Sequence, residues 1–211
     1  MLIDRREILR YLGYGKNEPD CGVGELINEC IEAVGEHATP RYYYRSFELS
    51  WDDGKISAAG MDLTCNSLKR NLAGCREVIF FAATLGNGID ILMNRYQKTD
   101  MPRAVILQAT AATAIEAYCN EAQREIEALI EKGCFLRPRF SPGYGDLPLD
   151  IQGDFLRVLE AYKKVGIALS DGNVMIPEKS VTALMGVSNV DNHCNIGGCE
   201  SCGMTDCPYK R

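Results

Sequence analysis

No block of lysine and arginine interrupts this 211-residue chain, whose 23 basic residues are outnumbered by 29 acidic ones for a net charge of −6. A surface that neutralises phosphates needs clustered cations, so nucleic acid is not an expected partner. Long apolar runs are missing as well. The longest, "VIFFAA" at 78–83, is far short of the roughly 20 residues that cross a bilayer, so no membrane role is expected. The opening "MLIDRREILR" carries Asp4, Arg5, Arg6 and Glu7 with no apolar stretch behind them, unlike a secretory signal, and the expected location is the cytoplasm. Neither an internal repeat nor a low-complexity linker is present. A chain that is 46% hydrophobic then has material for one large domain with at most an appendage.

Ten cysteines are present, and in a reducing compartment they are expected as thiols or metal ligands. Six are scattered from Cys21 to Cys134, whereas Cys194, Cys199, Cys202 and Cys207 fall in the last eighteen residues. This division sets the expected boundary: a domain over 1–190 and a cysteine-rich metal-binding tail over 191–211.

Periodicity places the elements. In "CGVGELINECIEAVGEHA" the residues Val23, Leu26, Ile27, Cys30, Ile31 and Val34 share one stripe, which predicts an amphipathic helix ending before Pro40. The alternating, aromatic "RYYYRSFEL" predicts a strand, and Asp53-Gly54 predicts a hairpin turn into "ISAAG". A helix is expected over 61–73, a buried strand over 77–86 and another helix over 89–97. The longest periodic stretch runs from Met101 to Lys132, with Pro102 in its first turn and Gly133 at its end. Ala104, Ala109, Ala111, Ala112, Ala114 and Ala117 make one side of it slim, so a backbone or a flat ligand is expected close by. A helix over 151–164 and two short strands, "VMIP" and "SVTALMGVS", complete an α+β pattern in which strands and helices do not alternate regularly. The turn in "ATLGNGID" could receive an anion or simply join strand to helix, and "RYYYR" could stack on a planar ligand or simply line a sheet.

Within "RFSPGYGDLP" (139–148) and its flanks, Pro138, Pro142 and Pro148 fix backbone angles, while Gly143 and Gly145 permit positive φ and close approach. Such a loop presents Arg139, a planar fork that suits a carboxylate, and Tyr144, an aromatic face with a hydroxyl. A small zwitterionic ligand would suit the pair. A surface turn with a solvated arginine and a core-capping tyrosine would show the same residues.

The string "RPRFSPGYGDLP" resembles the Arg-x-x-x-Gly-Tyr loop of the activation (reactivation) domain of cobalamin-dependent methionine synthase, carried here by Arg139, Gly143 and Tyr144. Upstream, "AIEAYCNEAQREI" resembles that domain's long helix and puts Glu116 near the ligand; downstream, "MIPEKSVTALMGVS" resembles its Pro-x-x-Ser-Val segment. The resemblance covers residues 101–188 in detail and the first hundred by order of elements. It implies the mixed, antiparallel sheet with flanking helices of that domain, binding of S-adenosylmethionine, and a corrinoid partner. Cob(II)alamin on the partner would be reduced and remethylated, with Arg139 on the ligand carboxylate and Tyr144 shaping the pocket. A chain of this length cannot also hold folate, homocysteine and cobalamin modules, so action in trans on a methionine synthase or related corrinoid protein is implied. Two departures stand out. After Tyr144 the family continues Pro-Ala and then Pro-acid-His, where this chain has Gly145, Asp146 and Pro148-Leu149-Asp150, and no Asp matches the family's amino-terminal acidic ligand residue.

Where the family has aromatics after its Ser-Val strand, this chain has "HCNIGGCESCGMTDCPYKR". C-x4-C-x2-C-x4-C brings four thiolates within fourteen residues, with Gly197, Gly198 and Gly203 allowing a tight curl. Tetrahedral zinc and an iron–sulfur cluster both accept four sulfurs, and the alternative is unligated thiols. Reductive methylation needs a low-potential electron, which tips the expectation toward iron–sulfur. His193 is expected to end a strand rather than to ligate, and Cys119 and Cys134 to be apolar packing. Two other functions fit parts of this pattern: an iron–sulfur electron-transfer protein, or a zinc-stabilised interaction subunit of a corrinoid methyltransferase system.

Overall fold

The computed structural model describes residues 1–15 and 17–189. From the amino terminus the chain forms helices α1 (Arg5–Tyr11) and α2 (Cys21–His37), then strands β1 (Arg41–Glu48), β2 (Ser50–Asp52), β3 (Lys55–Ala58) and β4 (Met61–Asp62). Helix α3 (Asn66–Asn71), strand β5 (Glu77–Thr84), helix α4 (Asn87–Thr99), helix α5 (Met101–Leu129) and strand β6 (Phe135–Leu136) follow. The last part holds α6 (Gln152–Val158), α7 (Ala161–Val165), β7 (Ala168–Leu169), β8 (Met175–Ile176) and β9 (Ser180–Ser188).

Aspartates start both long helices: Asp20 accepts the Val23 N–H, and Asp100, two residues before Pro102 in the first turn of α5, accepts the Arg103 N–H. The main sheet is antiparallel throughout, in the order β1-β5-β9-β6. Central β5 is buried on both faces, which is why "VIFFAA" is continuous rather than alternating. Ile79, Phe81 and Ala83 meet a helical layer of α1, α2, α4 and α5. Val78, Phe80 and Ala82 meet a second core with the β2–β4 ribbon, α3, α6 and α7, where Phe80 stacks on Phe155 at 4.7 Å. The α+β class is thus the observed one.

The alanines of α5 serve this packing. Ala104, Ala109, Ala111 and Ala114 are buried in the helix-side core, so ordinary helix contacts account for the slim face. In "ATLGNGID" a Cβ on Gly86 would collide with Thr39 Oγ1, and one on Gly88 with the His37 carbonyl. Those glycines admit the end of α2, and the plain strand-to-helix connection is what forms. "RYYYR" lies in β1, with Tyr42 and Tyr44 on the helical side and Tyr43 on the other. Asp53 and Gly54 both have positive φ, the primed hairpin turn expected from the dipeptide.

Boundaries shift by up to two residues at β5 and α4, and three larger differences from the sequence pattern have a visible backbone cause. The helix expected over 61–73 is shortened to α3 because Leu63 N–H returns to the Ile56 carbonyl and Thr64 Oγ1 accepts the Ile56 N–H. The helix expected over 151–164 divides into α6 and α7 at Glu160, whose φ is 51°. α5 stops at Leu129 because Ile130 turns extended. Among the described residues no helix is long and apolar enough to cross a membrane. The boundary near 190, His193 and the four tail cysteines lie outside the described residues.

Candidate functional site

Beyond β6 the chain stays attached to the edge of β9. Arg137 N–H donates to the Gly186 carbonyl at 2.8 Å, and Phe140 exchanges both main-chain bonds with Leu184 at 2.9 and 2.8 Å. The peptide then leaves the sheet and closes on itself. Tyr144 N–H donates to the Ser141 carbonyl, Leu147 N–H to the Tyr144 carbonyl and Gly143 N–H to the Leu147 carbonyl. Gly143 at φ +85° and Gly145 at φ +55° supply the two left-handed conformations this knot requires. Buried Leu147 anchors its underside.

Arg139, at the start of the knot, lies against α5. Its Nη1 donates to Gln123 Oε1 at 2.8 Å, and its Nη2 to Asn120 Oδ1 at 2.8 Å and to Glu116 Oε2 at 3.2 Å. Those acceptors stand four and three residues apart, hence on one stripe of the helix. The Arg139 side chain is 17% exposed and Glu116 40%, so this pair sits at the rim of the core. A guanidinium carries five N–H donors. Three are engaged, and the Nε–H and one Nη1–H have no partner among the described residues.

Glu116 also forms one wall of a cleft of about 230 Å³. Ser141, Pro142 and Tyr144 of the loop make the opposite wall together with Leu149, and Ser180, Val181 and Thr182 of β9 make the base. The base is polar but satisfied: Gln152 Nε2 donates to Thr182 Oγ1 at 2.8 Å, and Ser180 Oγ donates to the Pro177 carbonyl at 2.6 Å. Tyr144 is 68% exposed and stands at the mouth. The structure therefore brings Glu116 and Tyr144 to the cleft itself, with Arg139 directly behind Glu116. Gly143 acts in the backbone of the wall rather than on its surface.

Asn120, Gln123 and Gln152 carry the site but were not singled out from the sequence. The first two could have been found, because an unpaired arginine in a loop after a helix invites a search for acceptors at helical spacing. Gln152 gives no such signal, since only the fold shows that it is 2% exposed. The expected corrin-side departures also have a structural role here. A Cβ on Gly145 would lie 2.7 Å from Ser67 Oγ, and Asp146 accepts the N–H groups of Asn66 at 2.7 Å and Ser67 at 2.9 Å.

A larger concavity, about 390 Å³, opens between α6, α7 and β7. Its charged residues are engaged in exposed ion pairs one turn apart, Arg157 with Asp154 and Lys163 with Glu160. No predicted residue lines it, and the smaller cleft is the one where polar groups converge. Cys119, near Arg139 on α5, is fully buried, and burial pushes its thiol up to about 12; the same cause raises Cys30 to about 11. Cys119 is therefore packing material, as expected, and Cys134 is half-buried in the turn before β6. Among the described residues no cluster of three or more His, Cys, Asp or Glu is placed to hold a metal ion.

An antiparallel four-stranded sheet, a helical layer built on one 29-residue helix, and a Pro/Gly loop folded over the sheet edge define an α+β fold of the reactivation-domain type. Among solved structures the chain is similar to the MetH reactivation domain bound to AdoHcy, with a TM-score of 0.60 and 16% identity. The match covers 88% of this chain and 70% of that one. At this identity the likeness is one of fold. No protein-family model matches the chain, and no curated protein sequence matches it.

Proposed function

We propose that the cleft binds S-adenosylmethionine and that the protein serves, in trans, the reductive remethylation of a corrinoid held by a methionine synthase or a related protein. One observation carries the reading: Arg139 is fixed beside the cleft by three acceptors and keeps two N–H donors spare, next to a carboxylate that faces the cavity. A zwitterionic sulfonium matches that arrangement. Its carboxylate takes the spare guanidinium donors, and Glu116 offers negative charge to its cationic part. Tyr144 lies over the mouth, where an aromatic face can cover the ligand. AdoHcy, bound by the similar structure, has the same amino-acid and nucleoside parts as the proposed ligand.

Once reduced by one electron, the partner's corrinoid supplies the cobalt nucleophile that takes the methyl group and leaves S-adenosylhomocysteine. The chain's own part is to hold the sulfonium in line and away from water. Cys194, Cys199, Cys202 and Cys207 form the proposed iron–sulfur tail, residues 191–211, appended to the ligand-binding domain over 1–190; four thiolates fit such a cluster, and its chemistry is delivery of a low-potential electron. The cytoplasm is the compartment proposed for this chemistry.

The direct test is calorimetric titration with S-adenosylmethionine. The native chain should bind, and Arg139→Ala should lose binding by at least about a hundredfold, two charge-assisted bonds being worth about 1.5–3 kcal/mol each. Its circular dichroism should stay native. Unchanged affinity in the variant would remove the loop from the site.

A further inference from the structure

Helix α3 begins with a weak cap. The side chain before it is Cys65, whose Sγ accepts the Leu68 N–H at 3.4 Å, and a thiol is a poor acceptor. The first two N–H groups of the helix, those of Asn66 and Ser67, reach a carboxylate outside their own segment. They are taken by Asp146, 80 and 79 residues away, one oxygen each, at 2.7 and 2.9 Å. The amide and hydroxyl of Ser67 hold the Asp146 carboxyl well below the usual aspartate range, so it is ionised at neutral pH.

The same short segment grips the other end of the loop. Asn71 Nδ2 donates to the Pro138 carbonyl at 3.2 Å, and the Ala73 carbonyl accepts from Arg137 Nη2 at 3.1 Å. Contacts at 137–138 and at 146 thus bracket Arg139 and Tyr144. Gly145 permits the second grip, because its missing Cβ leaves room for Ser67.

We infer that Asp146 is a positioning residue: by holding the first amides of α3 it splints the 139–148 loop and so sets Arg139 and Tyr144 for the ligand. This deepens the S-adenosylmethionine reading and rests on it for the identity of the ligand. The splint itself is independent of any ligand, and it falls in a stretch where this sequence departs from the family it resembles.

The test compares the full chain with Asp146→Ala, Asp146→Asn and, as a control, Asp154→Asn, by amide hydrogen exchange and by titration with S-adenosylmethionine. In Asp146→Ala, exchange at Asn66, Ser67, Gly143 and Leu147 should rise about five- to tenfold, the usual effect of losing a cap, while Phe80 and Phe81 in β5 stay protected. Affinity for S-adenosylmethionine should fall by a similar factor. Asp146→Asn keeps one acceptor oxygen and should lie between, and it serves if the alanine variant does not fold. The control should change neither readout. Unaltered exchange in the loop, or a loosened loop with unaltered affinity, overturns the inference. If the native chain takes up no S-adenosylmethionine, the functional reading falls, and the exchange data alone decide whether Asp146 holds the loop.

Discussion

At the scale of single residues, the site depends on side chains whose partners are remote in sequence. Arg139 and Tyr144 were legible because proline and glycine around them announce a rigid loop. What holds the arginine was less so: Asn120 and Gln123 are ordinary polar residues of α5 until the fold lays the Arg139 loop beside them. Asp146 shows the same limit, since a residue that departs from a family pattern looks like a lost contact and proves to be a helix cap. It also gives a pH prediction. Its pKa is lowered on folding, so its stabilisation is fully present above the ordinary aspartate value of about 3.9 and is lost as pH falls toward the lower folded value. The difference in thermal midpoint between the native chain and Asp146→Asn should therefore be constant between about pH 5 and 8 and shrink below about pH 4. A difference that grows on acidification would contradict this.

Among elements, the long and strongly periodic ones were legible and the short ones were not. α2, α5, β5 and β9 follow from stripe, length and caps. The division of α6 from α7 does not, because Glu160 adopts a left-handed conformation with neither glycine nor proline to announce it. β6 and β7, two residues each, carry no periodic signal, and they exist because β9 and β8 offer them an edge. The cysteine tail is legible only as a spacing, and its prediction is compositional. Protein prepared without oxygen should contain iron and inorganic sulfide and show broad visible absorption that vanishes when Cys199 and Cys202 are replaced by serine. Stoichiometric zinc without iron, or no bound metal, would contradict the iron–sulfur reading.

For the whole molecule, the fold keeps two cores on either side of one sheet and leaves the cleft at the open end of β9, where Ser180, Val181 and Thr182 form its base. The fold was legible as a class, α+β, and the resemblance of three short strings to a known domain agrees with a structural match at only 16% identity. The most direct measurement mixes the protein with a methionine synthase lacking its own activation domain, loaded with cob(II)alamin, together with a reductant and S-adenosylmethionine. The account predicts conversion of the corrin spectrum to that of methylcobalamin, dependent on the native chain and absent with Arg139→Ala. A corrin spectrum that stays at cob(II)alamin with the native chain present would contradict it.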